Sequence, residues 1–207
     1  MRMSEYFVIS ILLLAATSAT SLLNASDIYS DPNADGGWAV AGGEGDEITA
    51  AGTDRLVTEL DVGIDGQSNP GNGVFVAKLF ANDGQSGQPG SLLWESGYTN
   101  ATFPGGATTL TFDVPQVLVP DTFTWMVYCV SSVGGPPAVL TAGAPTVGTH
   151  DVGWFYVPYD GWGEDESAHV AEIDAIPEPS SLLLTALGVA ALWVGGRRRR
   201  KGPSHAP

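Results

Sequence analysis

The sequence predicts an all-β fold, a two-sheet antiparallel β-sandwich of jelly-roll type, flanked by an N-terminal signal helix and a C-terminal transmembrane helix. Three observations carry that prediction. Glycine and proline make up 27 and 14 of the 207 residues, and they punctuate the chain at short intervals that would break helices. The runs between them alternate apolar with polar residues or are short and apolar, the pattern of half-buried strands. No long stripe of period 3.6 crosses residues 27–176.

In chain order, strands are expected at residues 47–50, 55–64, 74–81, 92–98, 108–114, 122–131, 139–142 and 154–157, with a last piece near 169–173. Turn clusters separate them: Asp65-Gly66, Asn69-Pro70-Gly71, Asn82-Asp83-Gly84, Pro89-Gly90, Pro104-Gly105-Gly106 and Gly134-Gly135-Pro136. Many short strands at this spacing suit two packed sheets. Alternation assigns Phe123, Trp125, Val127 and Cys129 to one inward face, and Leu56, Leu60, Val62 and Ile64 to another. Cys129 is the single cysteine, so it forms no internal disulfide and reads as a small core hydrophobe. Residues 171–179 read as a tether leading out of the domain.

The two ends read differently. Residues 1–26 form a secretory signal: Arg2, an apolar run over 7–16, then Thr17-Ser18-Ala19, with signal peptidase cutting after Ala19 or else after Ala25. An apolar run that short does not anchor a protein in a bilayer. Residues 27–175 form the exported sandwich. At the far end, Pro177-Glu178-Pro179 precedes an uncharged stretch over 180–196, then Arg197, Arg198, Arg199, Arg200 and Lys201, and residues 202–207 form a disordered tail. The prolines keep the chain around Glu178 extended and open to processing. The uncharged stretch, as a helix, reaches roughly 25 Å, and the arginines complete the span from the cytoplasmic side.

The segment from Pro177 to Lys201 resembles the PEP-CTERM sorting signal of Gram-negative bacteria. The motif is Pro177, Glu178 and Pro179, followed by the hydrophobic helix and the Arg-rich end. The resemblance implies recognition by an exosortase, a membrane-embedded transpeptidase-like enzyme. It also implies export across the inner membrane, transient anchoring by the C-terminal helix, and delivery to the cell surface or an exopolysaccharide matrix. An uncleaved single-span anchor has the same orientation and differs only in processing. The stretch over 79–97, with Asn82-Asp83-Gly84, Pro89-Gly90 and Leu92-Leu93-Trp94, is similar to exported sandwich domains described as choice-of-anchor modules, which supports the fold rather than an activity.

Charge excludes some partners. The whole chain carries net −15, and within residues 27–176 only Arg55 and Lys78 face 21 acidic residues, a net −19. Phosphate backbones are repelled by such a body, so nucleic acid is not a partner. Cations, neutral glycans and basic surfaces remain.

Catalysis is not expected. The domain offers His150 and His169, with no Gly-x-Ser-x-Gly or His-Glu-x-x-His, and adjacent His150 and Asp151 point to opposite faces of a strand. Both histidines read as structural or solvated. No cofactor is expected beyond calcium, for which Asp31, Asn33 and Asp35 with Gly36 match the opening of an oxygen-ligand loop, although Gly42 stands where the twelfth-position glutamate would be. The alternative there is an Asx turn without metal. Aromatics concentrate at 154–163, and Trp162, Tyr159 and Trp38 are candidates for stacking on a sugar. The expected function is a structural or adhesive protein of the surface or matrix. The alternatives are a carbohydrate-binding module for an extracellular polysaccharide and, less favoured, a polysaccharide hydrolase.

Overall fold

The computed structural model describes residues 25–39, 42–67 and 70–178. Its strands are β1 (Ser26–Asp31), β2 (Ala34–Ala39), β3 (Gly43–Thr49), β4 (Leu56–Asp65), β5 (Gly71–Ala81), β6 (Leu92–Glu95), β7 (Thr99–Phe103), β8 (Ala107–Leu118), β9 (Thr122–Val133), β10 (Ala138–Ala142), β11 (Thr149–Val157), β12 (Gly161–Asp165), β13 (Ala168–His169) and β14 (Ala171–Ile176). Every strand pairing is antiparallel. The first sheet runs β1-β14-β4-β10-β13, with β8 added beside β4 and β2 beside β10; the second runs β12-β11-β3-β9-β5-β6, with β7 beside β5. From β3 to β5, and again from β8 to β11, successive strands alternate between the sheets, as in jelly rolls. Among the described residues no helix is long and apolar enough to cross a membrane; of the segment read as the signal only Ala25 and Ser26 are described, Ser26 opening β1, and the segment read as the spanning helix lies outside the described residues.

Alternation builds the core. Phe123, Trp125 and Val127 of β9, Phe75, Ala77 and Leu79 of β5, and Ile48 of β3 face Leu60, Val62 and Ile64 of β4, Phe112 of β8 and Ile173 of β14, all within one cluster. Each such large apolar side chain contributes about 1.5–3 kcal/mol relative to an exposed one. Cys129 continues the β9 face and packs at the margin of this cluster. Burial pushes its thiol up. In β4 the inward set is Val57, Leu60, Val62 and Ile64, because a bulge between Val57 and Glu59 brings Val57 inward in place of Leu56.

The chain folds differently from expectation in two places. Residues 171–176 of the expected tether are a strand instead, one whose start falls in the piece expected near 169–173. They form β14, paired on one side with β1 and on the other with β4, with Ala171, Ile173 and Ala175 buried. Two alanines among acids hide the full length of this central strand, since inward positions need only fit the space between the sheets. Residues 31–36 are not one loop: β1 runs through Asp31 and β2 starts at Ala34, each with its own partner strand. Strands β1, β2, β7 and β12 carry glycine, aspartate or asparagine at positions that blur alternation, and their pairing comes from neighbours distant in sequence.

Candidate functional site

Register places an aromatic cluster on the outer face of the second sheet. Directly opposite residues share a face, so Trp162, Tyr156, Gly43, Tyr128 and Val76 form one row across β12, β11, β3, β9 and β5. The next row holds Trp154, Gly45, Met126, Lys78 and Glu95. Glycine is required at position 43, where a Cβ would run into the Tyr128 ring. The rings therefore fold over the middle of the sheet. Trp162 packs edge-on against Tyr156 at 5.1 Å, Phe80 at 5.6 Å and Trp154 at 6.3 Å between centroids. Tyr156 meets Tyr128 at 6.3 Å, and the Lys78 ammonium sits 5.1 Å over the Tyr128 ring while pairing with Glu95 at 2.7 Å. Trp154 donates its indole N–H to Glu47 at 3.3 Å. Trp154, Phe80 and Met126 are buried; Tyr128, Tyr156 and Trp162 are half-buried. Burial pushes the Tyr128 phenol up.

The same face continues into a cleft of about 340 Å³ where β7 and β9 flank the first half of β5. Asn72, Asn100, Thr102 and Ser131 line it with amides and hydroxyls, alongside Val74 and Val133. Thr102 donates its hydroxyl to Asn72 at 2.7 Å.

Between the sheets lies a charged pair that sequence spacing does not reveal. Asp46 alternates inward with Ile48 on β3, and His169 reaches it from β13 of the other sheet. His169 donates its ring Nδ1–H to Asp46 Oδ1 at 2.7 Å and its backbone N–H to Oδ2 at 2.8 Å. Both residues are fully buried, and Nε2 of His169 has no partner. Nε2 of His150 stands 3.6 Å from the same carboxylate, too long for a hydrogen bond. Burial pulls the His169 imidazole down, but the charge and hydrogen bond of Asp46, helped by Glu44 and Asp165, outweigh it and hold it above its ordinary value. Burial pushes Glu44 up to about 7, opposed by His169 and reinforced by Asp165 and Asp46. The pair meets no solvent, so its evident role is to tie the sheets together. More than a hundred residues separate its members, and the one local hint is an aspartate at an inward strand position.

The outer face of the first sheet is acidic. Asp27, Asp174, Glu59 and Asp113 stand in one row across β1, β14, β4 and β8, and Glu172 and Asp61 in the next. Carboxylate oxygens of Asp27, Glu172 and Asp174 lie within 4.8 Å of one another. Burial first, then the hydrogen bond and charge of Asp27, pushes Asp174 up to about 6; Glu172 is raised for similar reasons.

The other candidates of the sequence are scattered. Asp31 is fully buried at the end of β1, Asn33 is exposed between strands, and Asp35 lies in β2, its side chain outside the described set. Tyr159 is fully exposed in the turn between β11 and β12, at φ +85°. Trp38 pairs with Val139 in the first sheet, so the strands do not bring it to Trp162, and its side chain also lies outside the described set. Of the two whose side chains are described, Trp162 joins the aromatic cluster and Tyr159 does not.

Pro177 and Glu178 follow directly on β14, both half-buried; Pro179 and the cluster from Arg197 to Lys201 lie outside the described residues. Residues 175–200 match the PEP-CTERM protein-sorting motif. The chain carries an exosortase sorting signal. It is therefore an exported protein, sorted by a membrane enzyme and transiently anchored in the membrane before display at the cell surface. No curated protein and no solved structure matches the chain.

Proposed function

We propose that this is a non-catalytic structural or adhesive protein of the cell surface or extracellular matrix, delivered as an intact sandwich. The observation that carries the reading is the junction at Ile176 and Pro177. The compact unit runs from Ala25 to Ile176, and the Pro-Glu-Pro of the sorting motif starts at the next residue. Cleavage near Glu178 thus leaves β14, with its two partner strands, complete. At the other end, signal peptidase cutting after Ala19 or Ala25 leaves β1 complete, since it starts at Ser26. Both cuts fall outside the strands that close the first sheet, as delivery of a folded cargo requires.

Intact-mass and terminal-peptide analysis of the native protein from envelope and extracellular fractions tests this. The expected species begins at Thr20 or Ser26 and ends near Glu178. A chain retained through Lys201 in the envelope overturns delivery and leaves a membrane-anchored ectodomain.

A further inference from the structure

We infer that the outer face of the second sheet binds a neutral polysaccharide chain, lying from the Trp162, Tyr156 and Tyr128 rings to the cleft beside Asn72 and Asn100. The inference rests on the surface-protein reading only for its biological setting, because the site is built from residues of the sandwich itself. Two separate parts of the face point to the same ligand chemistry. Sugar rings offer C–H faces that pack on aromatic π-surfaces, and half-buried rings of Trp162, Tyr156 and Tyr128 form a continuous edge-to-face set in which the sheet supplies glycine at 43 to let them lie down. Sugar hydroxyls need donors and acceptors in comparable number. The cleft supplies amides from Asn72 and Asn100 and hydroxyls from Thr102 and Ser131, in a volume of about 340 Å³ within the range of small-ligand sites.

The two parts are connected. Ser131 is three residues beyond Tyr128 on β9, roughly 10 Å along the strand, and Val74 and Val76 join them on the adjacent β5, on the outward side of a strand whose Phe75 and Ala77 are in the core. A ligand using both parts is extended, a chain rather than a single sugar. Its charge follows from the domain, where Lys78 is one of two cations against 21 acids. An anionic polymer is repelled by that field, and Lys78 is already neutralised by Glu95 at 2.7 Å. Hydrogen bonding to neutral hydroxyls carries no such penalty.

The test uses the full chain in detergent, titrated with cellohexaose, maltohexaose and laminarihexaose, and with oligogalacturonate as the anionic probe. Tryptophan fluorescence and calorimetry are the readouts. At least one neutral probe saturates, Trp162→Ala and Asn100→Ala each weaken it about tenfold, or about 1.4 kcal/mol, and Asp113→Asn on the opposite sheet leaves it unchanged. Trp162→Phe, which keeps a ring, retains most of the binding and separates stacking from a folding defect. Failure of all three neutral probes to saturate at millimolar concentration overturns the inference, as does binding indifferent to both alanine variants or stronger for oligogalacturonate. None of these results alters the termini found by mass analysis, so export and glycan binding fail independently.

Discussion

The two outer faces of this sandwich obey the same pleat and carry opposite chemistry. Across β1, β14, β4 and β8, Asp27, Asp174, Glu59 and Asp113 stand directly opposite one another; across β12, β11, β3 and β9 the corresponding places hold Trp162, Tyr156, Gly43 and Tyr128. Like charges in register oppose pairing, whereas aromatic cross-strand neighbours favour it. The first sheet accepts the acids because its inward face, with Leu60, Val62, Phe112 and Ile173, contributes enough burial to outweigh them. A face that works against the sheet keeps the protein soluble, and a face that works for it can be spent on a ligand. The contrast teaches that the outward positions, which the fold does not dictate, are where this domain differentiates.

The largest effects break that contrast by truncation. Trp154 is 2% exposed on the aromatic face, so Trp154→Ala is expected to lower stability by about 3–5 kcal/mol. Asp113→Ala, outward on the acidic face, is expected to change it by less than about 0.5 kcal/mol. Urea unfolding of both variants measures the difference, and equal effects would show that the aromatic face is not a second core. Asp46→Ala belongs with the larger class: it strips the acceptor from the His169 ring and backbone N–H, both buried, at a cost of about 3–5 kcal/mol.

How legible the molecule was depends on where the physics sits. The inward face of β9 could be read because Phe123, Trp125 and Val127 alternate without interruption, and both sheets of the sandwich follow from such runs and the turns between them. Strand β14 could be read only at its start, within the piece expected near 169–173; its continuation to Ile176 could not, because Ala171 and Ala175 look neutral by composition and are buried only through their partners in β1 and β4. Trp162 stood out as an aromatic among glycines, yet its company did not. Tyr128 lies on β9 and Gly43 on β3, and only the pairing of three strands joins them. The Asp46 and His169 pair is the extreme case, since a contact between opposite sheets leaves no spacing in the sequence. By contrast Pro177, Glu178 and Pro179 act as a linear signal, which a sequence displays in full.

The pH dependence sharpens the comparison by separating surface carboxyls from interior groups. Glu44 is raised from 4.5 to about 7 and Asp174 from 3.8 to about 6, and Glu172 and His169 are raised as well. All four hold protons more tightly folded than unfolded, so stability falls as pH rises through their ranges. For His169, held above its ordinary 6.5, the stabilising interaction is fully present below that value and lost as pH climbs through the raised one. For Glu44 the cost of ionisation begins above 4.5 and is complete beyond about 7. Unfolding free energies from urea titration are therefore expected to be higher near pH 5 than near pH 8, by on the order of 1 kcal/mol after solvent screening. A profile rising with pH across this interval would contradict the assignment.

The smallest effect is the most specific to the acidic face. Asp174 stands between Asp27 on β1 and Glu59 on β4, and Glu172 adds to the same field. Replacing it by asparagine keeps the shape and a hydrogen-bonding partner for Asp27 while removing one charge from the row. Near pH 8 Asp174→Asn is expected to stabilise the fold by less than about 1 kcal/mol, the scale of exposed charge pairs. Below 3.8 the wild-type carboxyl is protonated both folded and unfolded, so the variant gains nothing from the missing charge. The gain should emerge as pH rises through the window from 3.8 to about 6, because that is where the folded chain retains a proton the unfolded chain has released. If the two proteins have the same midpoint at both ends of that window, the row is too well solvated to repel, and the two faces differ in packing alone.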